Sequence, residues 1–122
     1  MATVVDIFAL PVPRKRLAAY RRMSSKVGRV FRRHGITDYR EFVWTADAGM
    51  PGIKPFTGDI RLKRGEVLVA AIVGYKSMAA RTRAIKAMEK DPALLALNPE
   101  ASPFDMKRMR VGVFETIVDV KR

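Results

Sequence analysis

Val67-Leu68-Val69-Ala70-Ala71-Ile72-Val73-Gly74-Tyr75 is the stretch on which the fold turns. It is apolar almost throughout and rich in β-branched side chains, which suit a pleated surface. A strand wet on one side alternates apolar and polar residues, because successive side chains point to opposite faces. Here Val67, Val69, Ala71, Val73 and Tyr75 share one face, while Leu68, Ala70, Ile72 and Gly74 share the other. Both faces of this strand therefore call for cover.

Working outward, Arg64-Gly65 supplies a turn before the strand, and Asp59–Lys63 reads as a short extra strand. Asp47–Gly58 holds three glycines and two prolines and reads as a long loop. Ile36–Thr45 is a further strand, and Thr3–Leu10 is the first, closed by Pro11 and Pro13 because proline cannot donate to a ladder. Between them the period becomes helical from Arg14 to His34. Leu17, Tyr20, Ser24, Val27, Phe31 and His34 fall on one face, and Gly35 is placed to end the helix in the left-handed region.

Downstream, Ser77 is a helix cap and a second helix runs to about Lys90, with Ile85 and Met88 inward. Asp91-Pro92 then starts a short helix to about Leu97, with the aspartate as cap and proline in the first position. Asn98–Pro103 is loop, and Arg108–Val120 is the last strand. Val111, Val113 and Ile117 share one of its faces; Gly112, Phe114 and Val118 share the other.

The order βαββαβ predicts an α+β, ferredoxin-like domain, an antiparallel sheet with two helices on one face. The second face, apolar as well, is most economically covered by a second copy, since most soluble oligomers are symmetric. The expectation is a homodimer.

At 122 residues the chain makes one domain, 1–122, and 48% hydrophobic residues suffice for a packed core. It has no cysteine, which excludes disulfides, thiolate catalysis and thiolate metal sites. The short apolar stretch at the N-terminus contains Asp6 and lacks a basic leader, and no apolar run approaches a membrane span. These features predict a soluble, cytoplasmic protein without a membrane partner.

The net charge is +12, and residues 1–40 hold ten Lys/Arg against two Asp/Glu. Eight of the nine basic residues from Arg14 to Arg33, all but Arg16, fall within an arc of about 140° of the first helix. Arg22, Lys26, Arg29 and Arg33 are the candidates for contact with RNA, DNA or another polyanion. The alternative is a solvated face that keeps a basic protein dissolved. Tyr20 and Phe31 sit on the buried face, so no aromatic platform is interleaved with the charges.

Asp6 and Glu115 each lie in a strand among apolar neighbours, where an unpaired charge is costly. The first and last strands of such a sheet are adjacent, so the two carboxylates are candidates to share a proton or act as a base in a dry cavity. The alternative is an ion pair with Arg108, Arg110 or Lys107. Glu41 is a further candidate of the same type. Tyr75, Trp44 and Phe8 are candidates to line a cavity on the face of the sheet away from the helices, with Tyr75 and Arg108 orienting a ligand. As strand aromatics the three also read as plain core. His34, the one histidine, sits in the last helical turn, where a cation suits the helix dipole. A single histidine argues against a histidine-based metal site within one chain, and a symmetric two-histidine site across a dimer is the alternative. No phosphate-binding loop, dinucleotide-binding glycine pattern or nucleophile elbow occurs, so no cofactor or metal is expected.

Several blocks are similar to the YbaA-like family of conserved bacterial proteins, domain-of-unknown-function family 1428. Pro103-Phe104-Asp105 with Lys107-Arg108-Met109 is the most specific. The others are Val5-Asp6-Ile7-Phe8 with Pro11-Val12-Pro13, Tyr20-Arg21-Arg22-Met23, His34-Gly35, Tyr75-Lys76-Ser77, and Met88 with Asp91-Pro92. Ile7 and Met106 stand where the family usually has glycine, and Ile72 where it has an aromatic. The resemblance implies the dimeric α+β barrel superfamily, two sheets closing into one barrel. It allows cofactor-free proton transfer or oxidation and names no reaction.

The leading expectation is a homodimer that binds or converts a small molecule in a pocket of the barrel. The alternatives are polyanion binding through the first helix, and a protein that only dimerises or docks.

Overall fold

The computed structural model describes residues 3–96 and 104–121. Four strands, β1 (Val4–Pro13), β2 (Asp38–Val43), β3 (Glu66–Tyr75) and β4 (Arg110–Glu115), form one antiparallel sheet in the order β2-β3-β1-β4. Helix α1 (Leu17–Arg33) follows β1 through a 3-10 turn at Arg14–Arg16. Helices α2 (Met78–Glu89) and α3 (Pro92–Leu95) connect β3 toward β4. The expected loop Asn98–Pro103 lies outside the described residues.

The strands of one parity form the face beneath the helices. Leu10, Val12, Val67 and Val69 pack with Tyr20 of α1 in one buried cluster. Val73 and Tyr75 pack with Ile36, Ala84 and Met88 in a second, and Phe8 touches both. The opposite face carries Ile7, Phe42, Trp44 and Phe114, all more than a third exposed. Both faces are apolar, as the pattern of β3 requires.

The helix ends match their sequence signals. Ser77 Oγ accepts from Ala80 N–H at 3.0 Å, and Asp91 Oδ1 accepts from Ala93 N–H at 2.9 Å with Pro92 opening α3. Gly35, after α1, has φ +84°, a left-handed value that glycine adopts without strain.

Three expectations change. First, β1 continues through Pro11 and Pro13. Its pairing with β4 stops at Ala9↔Arg110, while that with β3 runs on to Pro13↔Glu66. Arg14 N–H donates to Gly65 C=O at 2.7 Å, so by alternation both proline nitrogens face the side without a strand, where a missing donor costs nothing. Second, Asp59–Lys63 is not a strand. The carbonyls of Asp59 and Arg61 accept from the Arg110 and Arg108 side chains, at 3.4 and 2.5 Å, rather than from a ladder. Third, the last strand is shorter than Arg108–Val120. Arg108 ends a 3-10 turn capped by Asp105, and β4 stops at Glu115 opposite Val4, where its partner strand begins. Ile117, Val118 and Val120 are left largely exposed.

Candidate functional site

A cavity of about 350 Å³ opens between α1 and the sheet. Its floor follows from the register. Glu41, Ala71 and Phe8 stand side by side on β2, β3 and β1, all facing the helices. Ala71 is the smallest of these, and its methyl leaves the space above the middle of the sheet unfilled. Met23, Val27 and Phe31 of α1 form the roof. Phe104, Met106 and Met109, from the turn before β4, close one side, and Leu94 of α3 adds to the wall.

Glu41 brings the charge. Its Oε1 accepts from the Tyr20 hydroxyl and its Oε2 from the Tyr39 hydroxyl. Tyr39 is two residues before Glu41 in β2 and so shares its face. The ring of Tyr39 lies against Gly28, where an added Cβ would stand 3.2 Å from Cδ1, and meets Phe31 edge-on at 5.3 Å. Tyr20 meets Phe104 edge-on at 5.6 Å. Burial, and then the bond to Glu41, push both phenols well above the ordinary tyrosine range. They therefore stay protonated and donate.

Asp6 lies on the same face of the sheet and is buried. Its Oδ1 accepts from Arg81 Nε of α2 at 2.8 Å, and its Oδ2 from the Tyr75 hydroxyl at 3.0 Å. The Arg81 guanidinium also stands 5.9 Å from the centre of the Tyr75 ring. Burial, and then the Asp6 charge, raise the Tyr75 phenol above its usual range. The register puts Asp6 opposite Val113 and Glu115 opposite Val4, so the two carboxylates share a face on a diagonal. Glu115 is exposed and makes no hydrogen bond or ion pair among the described residues. The cation beside Asp6 is thus Arg81, not Arg108, Arg110 or Lys107.

Arg108 is engaged elsewhere. Its Nη1 donates to Glu66 at 2.6 Å, tying the turn before β4 to the start of β3. The Arg108 pair, foremost, holds the Glu66 carboxyl below its usual range. Of the three aromatics expected together, Phe8 lines the cavity, Tyr75 is buried beneath α2, and Trp44 lies on the opposite face. They do not share a face, and the cavity lies on the helix side of the sheet. His34, the residue after α1, bonds through Nε2 to Asp91 Oδ2 at 2.6 Å, with Arg33 Nη2 at 3.7 Å from the same oxygen. The His34 bond, foremost, holds the Asp91 carboxyl below its usual range. Arg22, Lys26 and Arg29 are exposed.

The sequence already flagged Glu41 as a carboxylate in a strand, but not its two phenols. Tyr39-x-Glu41 spacing signals a shared face. The approach of Tyr20 depends on how α1 lies over β2, which periodicity does not give. Among the described residues no cluster of three metal-ligating side chains occurs, and no helix is long and apolar enough to cross a membrane.

Comparison with known proteins places the chain. It is 32% identical over 115 residues to "Uncharacterized protein YbaA" of Escherichia coli K12, covering 94% of this chain and 97% of that one. The same figures hold for the proteins of that name from Escherichia coli O157:H7 and Shigella flexneri. A solved de novo designed protein, Foldit4, aligns over 98% of each chain at 18% identity with a TM-score of 0.42, too loose a likeness to carry an argument. The family described as "Protein of unknown function (DUF1428)" matches residues 3–106, and the chain belongs to that family.

Proposed function

We propose that this protein is a homodimer that binds a small, mainly apolar molecule between α1 and the sheet. The cavity carries the reading: about 350 Å³ walled by Phe8, Met23, Val27, Phe31 and Phe104, with a single carboxylate at its floor. Apolar walls with few placed polar groups are the usual make-up of a ligand site. In this reading the strand order is that of a ferredoxin-like fold, and the exposed part of the far face, with Ile7, Phe42, Trp44 and Phe114, packs on a second sheet to close a barrel, while Leu68 and Pro11 on that face are already buried within the chain. Asp6, held by Arg81 and Tyr75, anchors α2 over the sheet rather than serving as a base.

The test combines dye displacement and sedimentation. Wild-type protein should enhance the fluorescence of the uncharged dye N-phenyl-1-naphthylamine by binding it in the cavity. Ala71→Phe from the sheet side, or Val27→Trp from the helix side, should abolish the enhancement while far-UV circular dichroism is kept. Dye binding unchanged in both folded variants overturns the cavity reading. Phe42→Glu with Phe114→Glu should convert a dimer to a monomer in sedimentation velocity; a wild-type monomer at all concentrations overturns the barrel.

A second reading has its own observation. Arg21, Arg22, Lys26 and Arg29 line a shallow exposed depression along α1, and none has an ion-pair partner among the described residues. Such a face would hold a polyanion by releasing its counterions. Binding of labelled RNA or DNA that falls steeply between about 50 and 200 mM salt, and is lost when Arg22, Lys26, Arg29 and Arg33 become glutamine, would establish it. Weak binding indifferent to those changes would dismiss it.

A further inference from the structure

We infer that the cavity selects an organic cation, an amine carrying an apolar tail, with Glu41 as its counter-ion. The inference rests on the cavity reading above and names the chemistry of its ligand.

Carboxylates that are not freely exposed normally have a cation beside them, because an uncompensated charge away from water is costly. Among the described residues this chain follows that rule with one exception. Asp6 has Arg81, Asp38 has Arg40, Glu66 has Arg108, and Asp91 has His34 and Arg33. Glu41, half-buried at the cavity floor, has no cation among the described residues, in a chain with 24 Lys/Arg and only 12 Asp/Glu. A shortage of basic residues does not explain the gap.

The groups that do reach Glu41 are neutral. One phenol donates to each oxygen. Each oxygen keeps a further lone pair for a donor. Phe8, Phe31 and Phe104 line the same cavity, and aromatic faces attract a cation through their quadrupole. A fixed anion, two neutral phenols and aromatic walls complement an ammonium group on a hydrocarbon tail. An anionic ligand would meet like charge with no basic side chain in the cavity lining to offset it. Arg21, Arg29, Arg32 and Arg40 border a separate, open depression that Glu41 also lines, but none of them lines the cavity or pairs with Glu41 among the described residues.

The experiment is isothermal titration of the full chain with three probes of one skeleton: 4-phenylbutylamine, 4-phenylbutan-1-ol and 4-phenylbutyrate. The amine should bind about tenfold tighter than the alcohol or better, and the carboxylate more weakly than either. Glu41→Gln should bring amine and alcohol to equal affinity, while Tyr39→Phe, which keeps the charge, should retain the preference. Alcohol binding as tightly as the amine, or carboxylate binding tighter, overturns the cation inference and leaves the cavity standing. An amine preference unchanged in Glu41→Gln also overturns it. No binding of any probe overturns the cavity reading and this inference together. The wild-type comparison decides even if a variant folds poorly.

Discussion

Asp6 is a charge that an apolar strand would exclude unless something answered it. Arg81 answers it at 2.8 Å and Tyr75 adds a neutral donor. Removing one partner of a buried pair leaves the other uncompensated and costs roughly 3–5 kcal/mol, whereas an apolar pair of similar volume is often tolerated. Arg81→Met should therefore lower unfolding free energy in urea by about 3 kcal/mol, and Asp6→Leu with Arg81→Met should recover most of the loss. An equal loss in single and double variants would show that packing, not charge, is at stake. The sequence made Asp6 conspicuous but hid its partner, because Arg81 lies 75 positions away on a helix whose rotation the pattern leaves open.

Asp91 gives the pH-dependent case. Its folded-state pKa lies below the unfolded value, so its contribution is present above the ordinary aspartate range and is lost as pH falls through the depressed value. Asp91→Asn keeps an oxygen to cap α3 but drops the charge. Wild-type protein should melt higher than the variant near about pH 6, and the two curves should converge toward about pH 2. A gap constant across that range would assign the whole effect to capping.

At the scale of elements, local chemistry was legible wherever it was self-contained. Ser77 and Asp91 announce helix starts, Gly35 an end, and alternation in β3 two apolar faces. Ser77→Ala should cost about 1 kcal/mol by freeing an N–H at the start of α2, measured by thermal or urea unfolding; no change would mean that water satisfies Ala80 equally well. Strand ends were not legible in the same way. β1 outlasts Pro11 and β4 stops at Glu115 because of where a neighbouring strand begins or ends. No property of Pro11 or Glu115 alone contains that information. Asp59–Lys63 failed likewise: its carbonyls are taken by Arg108 and Arg110 from the far end of the chain.

For the whole molecule, order and composition carried the α+β class and the antiparallel sheet, since each strand and both longer helices were separately marked. The cavity was only half visible. Its apolar walls look like ordinary core, and the void exists because Ala71 meets Phe8 and Glu41 in register, a coincidence of three strands. If a second copy covers the bare face, stability is tied to mass action. The melting temperature should then rise over an about hundredfold increase in protein concentration; a constant value would favour a face that stays wet.

The prolines of β1 bear on how such a molecule avoids its own kind. A sheet rim with free donors is a template on which further chains can stack without limit. From Leu10 onward the outer rim of β1 offers Pro11 and Pro13, whose nitrogens carry no hydrogen to give. Leu10, Pro11 and Val12 are also almost fully buried, so along that stretch the rim is withheld from an incoming strand by cover as well as by its missing donors. If copies of this chain meet, the broad exposed surface with Ile7, Phe42 and Phe114 rather than this rim is the place for it.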